Sequence, residues 1–336
     1  MTQLLKVHGS QNHFFILDQM LLKKPLADKE LRRLAQQLCD PKTGILNGAD
    51  GLLAVTQADH PGPLARMRVI NADGSEASMC GNGLRTVARY LTQKTGQTSF
   101  TIQTMHVDLR VAKQKDLAPN VPAFAVEISP VLFSPESLPF KGLGNERMIN
   151  DYVPELQPDL RFTAVAVPNP HLISFVDETT LKSDVLGQLG RYLNGTNPYF
   201  TDGVNVSFAV FLGPNRLFVR TFERGVGFTN ACGTGMAATS LAFCLTHPEQ
   251  AALDQPIDVF NPGGKVQVIV HFDRPHYWME LIGNATVTDV IDVDEEALHA
   301  AHVVTDQVHF EQTKEQAAYV DYIHSLPRPI NVNLKH

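Results

Sequence analysis

Leu84, Val87, Ala88 and Leu91 recur at i, i+3, i+4 and i+7, which predicts an amphipathic helix beginning near Asn82. A second segment, from Thr234 to about Leu245, carries Met236, Ala237, Ala238, Leu241 and Phe243 and is apolar on nearly every side. A helix of that kind has to be enclosed by the rest of the protein, and His247-Pro248 stops it. Leu31, Leu34, Ala35 and Leu38 mark one more amphipathic helix. Elsewhere the period shortens to two. Phe124–Ile128, Leu217–Phe222 and Lys265–His271 alternate as strands do, with Pro, Gly and Asn between such runs. Beyond Asp292 lies an acidic tail in which Ala318, Tyr319, Tyr322, Ile323 and Leu326 predict a helix, closed by Pro327 and Pro329. Packing or subunit contact is the role expected of it.

The chain repeats itself. NADGSEASMCGNGLRTVARYL, Asn71 to Leu91, lies over ERGVGFTNACGTGMAATSLAF, Glu223 to Phe243, at an offset of 152, and the two share a Cys-Gly-x-Gly core. Asn71 then falls on Glu223. A looser pair, SQNHFFIL around Asn12 and VPNPHLIS around Asn169, has an offset of 157. The expectation is an α+β protein of two pseudo-symmetric domains, each a strand-rich mixed sheet or barrel wrapped around a central helix that starts at a cysteine. Residues 1–130 form the first half, 131–285 the second, and 286–336 an extension.

Composition changes this picture little. Hydrophobic residues are 43% and charged residues 19%, an ordinary globular mix. Lys plus Arg number 28 against 35 Asp plus Glu, a net −7, and no basic block occurs, so neither nucleic acid nor an anionic membrane is an expected partner. The longest nearly apolar stretch, Gly235 to Leu245, is too short to span a bilayer, and the N-terminus lacks the layout of a secretory signal. Four cysteines in a chain of this length make no disulfide scaffold, and a cytoplasmic protein with free thiols is expected.

The chemistry lies in the position of two of those cysteines. A helix start offers unpaired N–H groups and about half a positive charge, which favours a thiolate. Adjacent glycines let the backbone approach a carboxylate and donate to it. Two such starts facing each other could hold one carboxylate with a thiol on each side of the neighbouring carbon. One thiolate would remove a proton while the other thiol delivers one, and the gripped carboxylate would take the developing charge. Cys39 and Cys244, on apolar helix faces, are better read as small buried hydrophobes. Zinc or redox chemistry is poorly supported, because neither Cys80 nor Cys232 has a CxxC partner, and His299, His302 and His309 are irregularly spaced.

NADGSE followed by CGNG, NPH, VN, ERG and ACGTG, in that order between Val7 and Thr286, resembles the diaminopimelate epimerase family. The resemblance implies interconversion of LL- and meso-diaminopimelate, feeding lysine and peptidoglycan synthesis, with no pyridoxal phosphate, metal or other cofactor. It implies two pseudo-symmetric domains with the active site in the cleft between them, and a homodimer. Position by position it implies Cys80 and Cys232 as the acid/base pair, with Gly81-Asn82 and Gly233-Thr234 cradling the carboxylate at the reacting centre. Asn12, Asn71, Asn169, Asn205, Glu223 and Arg224 match substrate-gripping positions, and His171 and Glu223 match residues held close to the thiols. Arg224 can fork onto a distal carboxylate, while asparagine carbonyls and Glu223 can accept from ammonium groups.

Three departures bear on substrate grip. The first motif, commonly HGLGND, reads His8-Gly-Ser-Gln-Asn12-His13; a frequent glutamine is Gly51; a frequent glutamate is Phe228. The competing readings are a proline or hydroxyproline racemase of similar architecture, and a non-catalytic binder of amino acids. Glu223-Arg224 argues against the first, since a simple amino acid has no distal carboxylate. The two thiols argue against the second, since binding alone needs neither. If the thiols face each other, withdrawal of reductant should join Cys80 to Cys232 and abolish activity reversibly.

Overall fold

The structure, a computed structural model, describes residues 2–134, 137–138, 140–144, 146–327 and 330. Pro329, expected to close the tail helix, lies outside the described residues. The chain divides into two compact units, Met1–Val126 with Ile282–Ser325, and Glu127–Leu281 with Leu326–His336.

In the first unit, strand Thr2–Gly9 pairs antiparallel with Asn12–Asp18, which lies parallel to Gly51–Thr56; that strand pairs antiparallel with Ala65–Asn71. Ala65–Asn71 runs parallel to Ser99–Gln103, which pairs antiparallel with Asp108–Ala118. Helix Asp28–Cys39 joins the second strand to the third, and helix Gly81–Thr95 follows the fourth. The second unit repeats this order of pairings. Arg161–Ala166 is antiparallel to Pro170–Phe175, parallel pairing leads to Asn205–Gly213, and Arg216–Glu223 is antiparallel to that. Arg216–Glu223 is parallel to Pro256–Asn261, which is antiparallel to Gly264–Asp273. Helix Gly233–Thr246 follows the fourth strand of this set, as Gly81–Thr95 does in the first. The sequence repeat is therefore a repeat of topology, and it puts each cysteine at the same point in its own unit.

Both expected helices form because their apolar positions have somewhere to go. Leu84, Val87, Ala88 and Leu91 are each at most 1% exposed, and Gly96, at φ 77°, terminates the helix by donating its N–H to Thr92 O. Helix Gly233–Thr246 is buried on nearly every side, and it packs against strands Gly264–Asp273, Pro170–Phe175 and Asn205–Gly213 of its own unit. Helix Asp28–Cys39 buries Leu31, Leu34, Ala35, Leu38 and Cys39 in the first unit's core, alongside Leu4, Phe15, Leu52 and Ile70. Glu30 caps its start by accepting from Ala27 N at 2.7 Å.

The tail is not an appendage. Thr286–Val293 is a strand lying antiparallel to Thr2–Gly9, His309–Gln312 adds a further strand, and Glu315–Ser325 is a helix. The pattern TVTDVIDV hides this strand, because Asp289 and Asp292 interrupt it. In the ladder Asp289 stands opposite Lys6, and Asp292 accepts from Gln3 Nε2 at 3.1 Å, so partners on the neighbouring strand accommodate both acids. Of the segment 129–161, Leu138, Phe140, Leu143, Met148 and Val153 are buried in the second unit's core.

Candidate active site

In the first unit Cys80 is the N-cap residue of helix Gly81–Thr95, in extended conformation at φ −142°, ψ 110°. Its sulfur accepts from Gly83 N at 3.5 Å and lies 3.6 Å from Asn12 Oδ1, toward which the thiol donates. Asn82 Nδ2 donates to the same oxygen at 3.3 Å. Asn12 Nδ2 in turn donates to Asp50 Oδ2 at 2.7 Å, and His13 N donates to that carboxylate at 2.8 Å. Asn12, Cys80 and Asn82 thus form one cluster. Asn71 stands at the end of its strand opposite Gly51, and its amide donates to Ser75 Oγ at 2.9 Å across the following turn. The N–H groups of Gly81 and Asn82 belong to the first turn, where the helix itself supplies no acceptor.

The second unit builds the same arrangement. Cys232 is the N-cap of helix Gly233–Thr246, its sulfur accepts from Gly235 N at 3.4 Å, and Thr234 Oγ1 is 3.7 Å away. Asn205 Oδ1 accepts from Arg224 N at 2.8 Å and shapes the turn after Glu223. Arg224 is exposed and its Nη1 donates to Asp202 O at 3.1 Å. His171 pairs in register with Asn205, and its Nε2 is 3.1 Å from Asn169 Oδ1. His171 and Asn205 are therefore adjacent on neighbouring strands, Asn169 lies just before the first of them and reaches His171, and Thr229 Oγ1 donates to Glu223 Oε1.

Burial pushes Cys232 well above the ordinary thiol range, and the Glu223 carboxylate adds to that rise. Cys232 therefore rests as S–H. Glu223→Gln is expected to lower the pH midpoint for alkylation of Cys232, read by mass on its peptide, while burial still keeps it above that of a free thiol. An unchanged or raised midpoint would contradict the assignment. Cys39 and Cys244 are pushed up to about 12 by burial, which suits inert core residues.

His171 is held down at about 3, first by burial and then by the charge of Arg224; His8 is held at about 3 by burial and then by His13. Both stay neutral in the folded chain, whereas an unfolded histidine takes a proton below about 6.5. Their contribution to stability is thus complete above 6.5 and drains away as pH falls toward 3, at up to ~1.4 kcal/mol per pH unit for each. Between pH 6.5 and 5 the fall in urea midpoint is expected to be shallower in His8→Gln than in the parent. An equally steep fall would contradict a neutral buried His8.

Two departures from the family pattern have packing reasons. A Cβ at position 51 would stand 2.7 Å from Ile70 O, so only glycine fits there. Phe228 packs edge-on to Phe222 at 5.4 Å, with the Arg220 guanidinium 4.0 Å from its ring centroid. Sequence reasoning passed over Asp50, which orients Asn12, and Arg85, which holds Asn82. The signal for Arg85 was a charge sharing a helical stripe with Gly81 and Ala88. Among the described residues no group of three His, Cys, Asp or Glu is placed to hold a metal ion, and no helix is long and apolar enough to cross a membrane.

The family model "Diaminopimelate epimerase" matches residues 4–119 and 163–288. A diaminopimelate epimerase of Ligilactobacillus salivarius is 55% identical over 328 residues, covering 97% of this chain and 100% of that protein. Those of Lactiplantibacillus plantarum and Listeria innocua are 51% and 48% identical, covering 97% and 95% of this chain and 99% and 94% of theirs. Among solved structures, a PhzF-family phenazine biosynthesis protein of Bacillus anthracis aligns with a TM-score of 0.59 at 14% identity, covering 88% of this chain and 100% of that one. A probable proline racemase of Agrobacterium radiobacter gives 0.56 at 14%, covering 91% and 98%. At such identities these structures share the two-domain α+β fold. The tail lies beyond the family model, yet coverage of 97% means that the full-length relatives include most of it.

Proposed function

The chain belongs to the diaminopimelate epimerase family, and on that premise we propose that Cys80 and Cys232 are the two proton-transfer groups of its reaction. The enzyme is an isomerase that interconverts LL- and meso-diaminopimelate on the route to lysine. The observation that carries the assignment is the pair of N-cap thiols. Each sits at the same topological point of its unit, each with a glycine N–H on its sulfur.

The α-proton of an amino acid is a very weak acid, so its removal needs a base on one face, a proton donor on the other and somewhere for the charge to go. The first-turn N–H groups at Gly81-Asn82 and Gly233-Thr234 are suited to hold the α-carboxylate while it becomes an aci-carboxylate. One cysteine as thiolate takes the proton and the other, as thiol, supplies the replacement; the reverse reaction exchanges the roles. Cys232, resting as S–H, begins as the donor, and Glu223 beside it opposes its ionisation until the proton has left. The side chains of Asn12, Asn71, Asn169 and Asn205 suit the ammonium groups and the carboxylates, and His171 steadies Asn169. Arg224, exposed and anchored through its own backbone, takes the distal carboxylate.

A homodimer, a cofactor-free reaction and a reducing, cytoplasmic setting belong to this reading as well; the first rests on family membership, the last on two thiols that have to remain unoxidised. The substrate test is a panel of LL-diaminopimelate, proline, hydroxyproline and glutamate followed by chiral chromatography. Inversion of diaminopimelate alone is expected. Faster inversion of proline would transfer the assignment to a racemase.

A further inference from the structure

Arg85 lies on the first catalytic helix, five residues beyond Cys80, and its side chain is 0% exposed. Nε donates to Asn284 O at 3.1 Å, and Nη2 donates to Ser10 Oγ at 3.1 Å and to Asn82 Oδ1 at 3.0 Å. All three acceptors are neutral. Nη1 is buried with no hydrogen-bond partner among the described residues, and no carboxylate there pairs with this guanidinium. Arg68, by contrast, pairs with Glu76 and Asp28, Arg89 pairs with both oxygens of Glu315, and the guanidinium of Arg220 lies over the Phe228 ring. An uncompensated buried charge costs several kcal/mol. The backbone nonetheless makes room for it, since a Cβ on Gly9 would stand 2.9 Å from Nη2 and one on Gly283 would stand 3.0 Å from Cζ.

The titratable groups around the guanidinium can be taken in turn. His8, on strand Thr2–Gly9, stays neutral because burial holds it at about 3. Tyr319, on the tail helix, is only 2% exposed, and burial drives its hydroxyl upward, so it stays neutral too. Glu315 is taken by Arg89, and Asp50 by Asn12 and the His13 backbone. What remains is the Cys80 thiol, which is joined to Arg85 through two amides. A guanidinium can only donate, so Asn82 turns its oxygen to Arg85 and its NH2 to Asn12, and Asn12 presents its oxygen to the Cys80 S–H; this relay fixes the thiol in place, and the thiolate is met by the guanidinium's charge and the Gly83 N–H. Asp50, which can only accept, fixes the other end of Asn12 in the same sense.

We propose that Arg85 is the counter-cation of the Cys80 thiolate: the anion missing from this buried site is the one that Cys80 carries when it stands ready as the base. Arg85 acts through Cys80 and Asn82 and is a positioning residue. Burial draws Arg85 down to about 10, and Cys80 opposes that fall, so the guanidinium remains charged at neutral pH. This deepens the reading of Cys80 as an acid/base group and rests on it.

The test is alkylation of the full chain by iodoacetamide across a pH series, read separately on the Cys80 and Cys232 peptides. Arg85→Gln is expected to raise the Cys80 midpoint by about one pH unit and leave the Cys232 midpoint in place. With it, kcat falls ~10-fold with little change in KM, and Arg85→Lys, which keeps the charge, recovers most of the shift. A Cys80 midpoint that stays put while the melting temperature drops would overturn the proposal. Should Arg85→Gln not fold, Cys80→Asp is compared with Cys80→Asn, and Cys232→Asp with Cys232→Asn. Both positions are helix starts, but only position 80 has a waiting cation. Aspartate should therefore raise the melting temperature over asparagine at 80 by more than it does at 232; an equal or smaller gain at 80 would overturn the proposal. Neither the alkylation midpoint nor the melting temperature requires turnover, so failure here is distinguishable from failure of the epimerase assignment.

Discussion

Cys80→Ser and Cys232→Ser are each expected to slow epimerisation at least ~100-fold, the low end for loss of a positioned acid or base. Serine is a good probe because it disturbs little else. Each cysteine is an N-cap whose sulfur accepts from the N–H three residues on, and a serine hydroxyl does the same with better geometry. Thermal stability should therefore hold while turnover collapses, which separates a chemical loss from a folding loss. A further consequence follows from having a base for each face. With one thiol gone, the other can still remove the α-proton from its own face and return a solvent proton there. Each single variant should then exchange the α-proton of one stereoisomer in heavy water without inverting it, and the two variants should favour opposite isomers. Normal turnover in either variant would remove that cysteine from the mechanism.

The second large effect is on binding. Arg224→Gln is expected to raise KM for diaminopimelate by at least ~30-fold, the equivalent of about 2 kcal/mol for a lost charge-assisted fork onto a carboxylate. The turn itself should survive, because Asn205 holds Arg224 through the backbone N–H and not through the guanidinium. The distal carboxylate sits far from the bond that breaks, so its grip is felt about equally in ground and transition states, and kcat should change much less than KM. Initial-rate kinetics over a wide substrate range give the split. An unchanged KM would leave the distal carboxylate to some other group.

Much of this was legible in the sequence because it rests on short-range pattern. The apolar stripe at Leu84, Val87, Ala88 and Leu91 and the all-round apolar run after Thr234 became the two enclosed helices, and the Cys-Gly-x-Gly repeat became a repeat of strand pairings. Placement of Asn12 beside Cys80, and of Asn169 and His171 beside Asn205, follows the matched motifs. What escaped depends on long-range partners. Strand Thr286–Val293 falls in what reads as the start of an extension until Lys6 and Gln3 are seen to receive its aspartates. Gly51 reads as a change in substrate grip until Ile70 O is found where its side chain would be. Arg85 goes unremarked in the sequence, because nothing local says that Ser10, Asn82 and Asn284 converge on it.

The central claim is that two thiols serve one carbon, and the early placement of deuterium tests it most directly. LL-diaminopimelate is incubated with fully reduced enzyme in heavy water and stopped after a few per cent conversion, and both isomers are examined by NMR and mass. Two bases predict meso product carrying deuterium at the inverted carbon, delivered by a solvent-equilibrated thiol, while the remaining LL substrate keeps its protium. Product that largely retains the substrate's own proton would mean a single base acting on both faces, and would contradict the account.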